Sequence, residues 1–114
     1  MDGSGTALNL HFPTVGPLKR FVVSERSMLP TLRPGDGLIA VRSKRIERGQ
    51  IRCFEHPDRP GFWLVKRVGD IDGDRFEAIS DNPDEPGVVD SRRLGPIPIA
   101  GTYRVLKRFA AATA

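Results

Sequence analysis

Proline and glycine punctuate this chain too often for long helices to fit between them. Ten prolines and twelve glycines fall among 114 residues. Each proline fixes φ and removes a backbone donor, and each glycine lets the chain turn where other residues cannot. The pattern argues against a helical bundle and for short strands joined by turns. At this length one domain with a modest core is expected.

The tightest punctuation is Ser27-Met28-Leu29-Pro30-Thr31-Leu32-Arg33-Pro34-Gly35-Asp36. Pro30 and Pro34 exclude a long helix here and predict a rigid connection ending at Gly35. A rigid connection that holds up a single hydroxyl is where a nucleophile would be placed. Around it the chain reads as a mostly β domain of short antiparallel strands over 18–109. A flexible arm over 1–17, rich in Gly, Ser, Thr and Pro, precedes the domain, and a short tail over 110–114 follows it.

Strands are expected at Phe21–Val23, Leu38–Arg42, Ile51–Glu55, Phe62–Val68 and Thr102–Leu106. Asp72-Gly73-Asp74 signals a hairpin between Val68–Ile71 and Arg75–Ile79. The charged stretch Ser43–Gln50 reads as a loop with room for one helical turn, and Asp81–Gly87 and Pro96–Gly101 read as loops. Side chains alternate across a strand, so Phe62, Leu64, Lys66 and Val68 share one face. Lys66 is thereby set in an apolar row, with Trp63, Val65 and Arg67 on the other face.

Composition narrows the chemistry. The formal net charge of +4 would admit an acidic partner, but the basic residues are dispersed along the chain, as on a solvated surface. A single cysteine, Cys53, excludes an internal disulfide framework and a multi-cysteine metal site, and it reads as a small buried hydrophobe in a strand. His11 and His56 sit in proline-flanked segments that suggest no partnership with it, and no cofactor or metal is implied. No stretch approaches the roughly 18 apolar residues of a membrane span. Met1–Phe12 lacks the basic start and apolar core of a secretory signal, so a cytoplasmic location without a membrane anchor is expected.

Three separated motifs carry a resemblance. Ser27-Met28-x-Pro30-Thr31-Leu32 with Pro34-Gly35-Asp36 resembles the nucleophile box of the signal peptidase I family of serine–lysine proteases. Leu64-Val65-Lys66-Arg67-Val68 resembles that family's lysine box. Asp81-Asn82, Asp90-Ser91-Arg92 and Gly95-Pro96-Ile97-Pro98 resemble its C-terminal box, and the three occur in the family's order between Phe21 and Leu106. The resemblance implies a signal-peptidase-like core and a serine endopeptidase in which Ser27 attacks and Lys66 is the base. A lysine can take that role only when neutral, and burial among apolar groups depresses its pKa from about 10.4.

The resemblance further implies that a precursor protein binds as an extended strand, with Phe21, Val23 and the Lys66 strand as cleft walls. Met28 lines that cleft or is plain core. Asp81 is expected to pair with Arg67, and Asp90 with Arg92, as supports for the catalytic strand. Two positions depart from the family. Glu25 stands where a small or hydroxyl residue helps to bind the oxyanion, leaving the Ser27 N–H and one further unnamed donor. Val88 stands where some members have a lysine-orienting serine, so either Ser80 or Ser91 substitutes or the lysine is less well oriented.

Within the family, a short anchorless chain with His56-Pro57-Asp58-Arg59-Pro60-Gly61 ahead of the lysine strand most resembles the maturation proteases of nickel-type superoxide dismutase. Self-cleaving repressors of the LexA type share the chemistry, but they carry an Ala-Gly or Cys-Gly bond ahead of the serine, and Ala100-Gly101 lies behind it. The non-enzymatic alternative is a basic β-rich nucleic-acid-binding module, for which Phe62, Trp63, Lys66 and Arg67 would supply interleaved aromatic and basic residues.

Overall fold

The longest strand of the fold is the one that carries Lys66. In chain order the elements are β1 (Leu8–Asn9), β2 (Leu18–Val23), β3 (Gly37–Arg42), β4 (Ile51–Glu55), β5 (Trp63–Asp72), β6 (Arg75–Ile79), α1 (Ser91–Leu94), β7 (Ile97–Pro98) and β8 (Tyr103–Phe109). The computed structural model describes residues 16–112 and, for the backbone alone, Leu8–Asn9. The strands form one antiparallel sheet in the order β1-β2-β3-β8-β4-β5-β6-β7. Its Cα radius of gyration of 13.0 Å is that of a compact domain of about 100 residues.

Two apolar clusters meet at β5 because its alternating side chains serve both faces. Val65, flanked by half-buried Trp63, packs with Phe21, Val23, Met28, Leu32, Leu38 and Cys53. Leu64 and Val68 pack on the opposite face with Phe54, Phe62, Phe76 and Ile97. The sheet curls enough for Phe21 on β2 to approach Trp63 on β5, their ring centroids 5.3 Å apart. Past Val68 the β5–β6 register shifts. Gly69 permits this: a Cβ there would lie 2.4 Å from Ile79 Cδ1 and 2.9 Å from Glu77 Oε1.

The expected strands are present, several of them longer than predicted. Two short elements are additional, β7 within the expected loop Pro96–Gly101 and α1 in a stretch for which no element was expected. α1 is a single turn capped by Asp90, whose side chain accepts the Arg92 N–H, and closed at Gly95, whose N–H donates to the Ser91 carbonyl. β7 is only Ile97–Pro98, on the outer edge of β6, where a proline is tolerated. Ser43–Gln50 contains no helix. Of the expected arm, Leu8–Asn9 pairs with β2, and Pro17 accepts a hydrogen bond from the Arg42 N–H. Residues 1–7 and 10–15, His11 among them, lie outside the described residues, as do 113–114 of the tail.

Candidate active site

β2 ends at Val23 and hands the chain to the turn bearing Ser27. The neck of that turn is closed by hydrogen bonds from Val23 N–H to Asp36 O (2.9 Å) and from Gly35 N–H to Val23 O (2.7 Å). Met28 and Leu32 plug its underside into the first cluster, and the Leu29–Pro30 peptide is cis. Asp36, fully buried, accepts the Arg33 N–H at 2.9 Å and the Ala111 N–H at 2.8 Å, with Arg108 at 3.3 Å. Burial pushes the Asp36 carboxyl up, yet these bonds outweigh it and hold the pKa below the usual range. The result is a rigid loop that presents Ser27, itself 4% exposed.

Lys66 sits on β5 between Leu64 and Val68 and is 1% exposed. Its Nζ donates to Ser80 Oγ at 2.9 Å, and Ser80 Oγ donates to Asp90 Oδ2 at 2.7 Å. Asp90 in turn accepts the Arg92 N–H (3.0 Å) and Arg92 Nε (3.1 Å). Burial lowers the Lys66 pKa, while Asp90 and Glu25 oppose it, and the balance falls at about 8. Burial raises Asp90, but the hydrogen bonds from Arg92 and Ser80 prevail and keep it an anion.

Residues 80–82 join these two parts. Asn82 N–H donates to the Ser27 carbonyl at 2.8 Å, and its side chain donates to the Arg26 carbonyl at 3.0 Å. Asp81 N–H points at Met28 Sδ (3.4 Å), and Thr31 Oγ1 donates to Asp81 Oδ2 (2.7 Å). Arg67 closes on Asp81 bidentately at 2.8 and 2.7 Å. Both expected ion pairs are therefore formed. Asp81 and Asp90 are the sheltered partners, with side chains 16% and 3% exposed against 33% and 58% for Arg67 and Arg92. From Lys66 Nζ to Ser27 there are two hydrogen bonds and the short segment 80–82 between them.

Beside Ser27 opens a cleft of about 350 Å³ lined in part by Glu25, Glu85 and Val88. Desolvation raises the Glu25 pKa, Lys66 lowers it and Glu85 raises it further. Glu85 is shared with Arg26 at 3.6 Å. The departures at positions 25 and 88 thus give this wall one half-buried carboxylate and one apolar side chain.

Phe21 and Val23, expected along the cleft, are instead buried in the first cluster, and Met28, for which cleft lining and plain core were both expected, is buried there with them. Ser91 does not meet Lys66; its Oγ accepts the Ala78 N–H and secures the end of β6. Ser80 is the hydroxyl on the lysine, and the sequence signal for it was its place next to Asp81-Asn82. Thr31 was not anticipated as a tie to Asp81. His56 is stacked on Phe62 and accepts the Asp58 N–H, and burial pushes the Cys53 thiol up; neither serves the site. The aromatic and basic residues that would have read nucleic acid are withdrawn. Phe62 and Lys66 are buried, and Lys19 covers the half-buried Trp63 at 4.4 Å. Among the described residues no helix is long and apolar enough to cross a membrane.

Residues 6–83 match the family described as signal peptidase, peptidase S26. The matched region takes in the Ser27 turn, the Lys66 strand and Asp81-Asn82. No curated protein matches the chain.

Proposed function

The chain belongs to the S26 signal peptidase family, and from that membership we propose that it is a leader-cleaving serine endopeptidase with Ser27 as nucleophile and Lys66 as general base. The observation that carries this reading is the state of Lys66. It is an ammonium-bearing side chain buried in an apolar row, anchored on one hydroxyl, with a pKa of about 8. A lysine kept there for packing would be better replaced by an aliphatic residue.

Ser80 gives its proton to Asp90, so its remaining lone pairs can only accept. Neutral Lys66 donates one N–H to Ser80 and keeps its own lone pair for the Ser27 proton. Ser27 Oγ then attacks the scissile carbonyl. Among the described residues the Ser27 N–H donates to no protein acceptor, which leaves it for the oxyanion. Lys66 returns the proton to the departing amine, giving an acyl-enzyme. It then takes a proton from water, whose oxygen attacks the ester, and returns it to Ser27 as the new carboxyl terminus leaves.

For the substrate, the segment His56–Gly61 ahead of β5 favours a nickel-type superoxide dismutase precursor, acted on in the cytoplasm. Cleavage of such a precursor, followed by mass spectrometry, tests both levels. Ser27→Ala and Lys66→Ala should each abolish it, and the double variant should be no worse than either. The base must be unprotonated, so kcat/KM should rise with pH through about 8 and then level off. Near-normal cleavage by Lys66→Ala would sink the mechanism. Cleavage of other leader-bearing precursors but not this one would remove only the narrower substrate.

A further inference from the structure

β2 has two edges. One is paired with β3 along most of its length, from Leu18 to Val22. The other, on the side away from β3, lies toward β5, which carries Lys66, since the strand seated there contacts both β2 and β5. That second edge is already taken. β1 pairs with it antiparallel, Leu8 opposite Val23 and Asn9 opposite Val22, and β1 also lies within contact distance of β5. Two strands frame the dyad, and a piece of the chain's own N-terminal region lies against both.

An extended peptide arriving between these two strands must pair its backbone groups, since buried N–H and C=O groups left unpaired are costly. β3 leaves it only the edge that β1 holds, so β1 and an added strand cannot both pair with Val22–Val23. β1 is two residues long, and a short terminal strand is held by few bonds and opens at little free-energy cost. We propose that β1 is the resident occupant of the strand-acceptor edge of β2, and that an extended segment of the precursor binds by displacing it. The inference rests on the peptidase reading for what the incoming strand is, but not for the existence of the exchange.

The exchange sets a competition inside one molecule. A tethered occupant acts at a high effective concentration, and the apparent affinity of any incoming strand falls by the fraction of molecules whose edge is free. Disabling β1 in the intact chain should therefore tighten binding of an outside strand.

The test uses the full-length chain carrying Ser27→Ala, which cannot turn over, and a fluorescent peptide reproducing residues 5–12. Hydrogen-bonded and non-hydrogen-bonded pairs alternate in an antiparallel ladder, so one of Leu8 and Asn9 donates its N–H to β2. Leu8→Pro and Asn9→Pro are both made, and circular dichroism checks that each variant keeps the parent's fold. In at least one of them the peptide should bind about three-fold or more tightly than in the parent. Equal affinity in all three chains, or no binding in any, overturns the exchange.

Precursor cleavage by the same variants with Ser27 restored separates the two readings. A lowered KM with unchanged kcat supports both. Cleavage whose KM neither proline alters overturns the exchange and leaves the peptidase reading standing. Peptide exchange without any cleavage overturns the peptidase reading and leaves the exchange standing.

Discussion

On the proposed mechanism, Ser80 decides what kind of base Lys66 can be. Its hydroxyl proton is committed to Asp90, so the amine is held by an acceptor and its lone pair is left unengaged by that contact. Ser80→Ala should lower kcat by roughly ten- to a hundred-fold while KM stays near its parent value, because it loosens orientation and not binding. Ser80→Thr, which keeps the hydroxyl, should recover part of the loss, and equal rates for all three proteins would remove Ser80 from the mechanism. Asp90 acts on the same amine by charge, raising its pKa against burial. Asp90→Asn should therefore shift the rising limb of the pH–rate profile to lower pH. At this scale the rigid turn around Ser27 and the apolar row around Lys66 were legible, because each sits in a local pattern of proline, glycine and apolar neighbours. The choice between Ser80 and Ser91 was not. It depends on which hydroxyl the curl of β6 turns inward, and Ser91 is consumed by the Ala78 N–H.

Strands were legible where apolar and polar residues alternate, as in β6, or where apolar runs lie between turn signals, as in β4, and the two cores meeting at β5 follow from its opposite faces. α1 and β7 were hidden, being too short for any periodicity to register and surrounded by prolines. The placement of Phe21 and Val23 was also misjudged. β2 was read as a cleft wall lined by these two side chains, but with a core on that face they turn inward and only the backbone edge of the strand remains outside it. What ties the elements together is the 80–82 segment, which grips the Ser27 turn on one side and β5 on the other. Arg67→Ala would leave the sheltered Asp81 with only Thr31 and should destabilise the fold by about 1–3 kcal/mol in urea unfolding. Thr31→Val should cost about 1 kcal/mol or less, since that bond lies at the surface. Were Arg67→Ala neutral, the turn would be held by Thr31 and by the Asn82 contacts without help from the pair.

Across the whole molecule, the buried amine makes stability depend on pH. Below about pH 8 folded and unfolded chains both hold the Lys66 proton, and the fold bears the full cost of a buried charge. Between about 8 and 10.5 the folded chain has released the proton and the unfolded chain still binds it. Unfolding then takes up a proton, so this residue's contribution to stability rises with pH across that window and levels off above it. Lys66→Met should raise the melting temperature at pH 7 by several degrees while eliminating cleavage, and the gain should shrink towards pH 10.5. No gain at pH 7 would mean that the charge is better accommodated than its surroundings indicate. The strand order has a separate consequence. β1, β2 and β3 form one half of the sheet and β4 to β7 the other, and only β8 pairs with both. Ser27 belongs to the first half and Lys66 to the second. On the ribosome both halves emerge before β8, so until it is added the Ser27 turn and the Lys66 strand are held together by the 80–82 segment and not by the sheet. On the proposed reading, Ser27 and Lys66 would reach their full alignment only once β8 has joined the two halves.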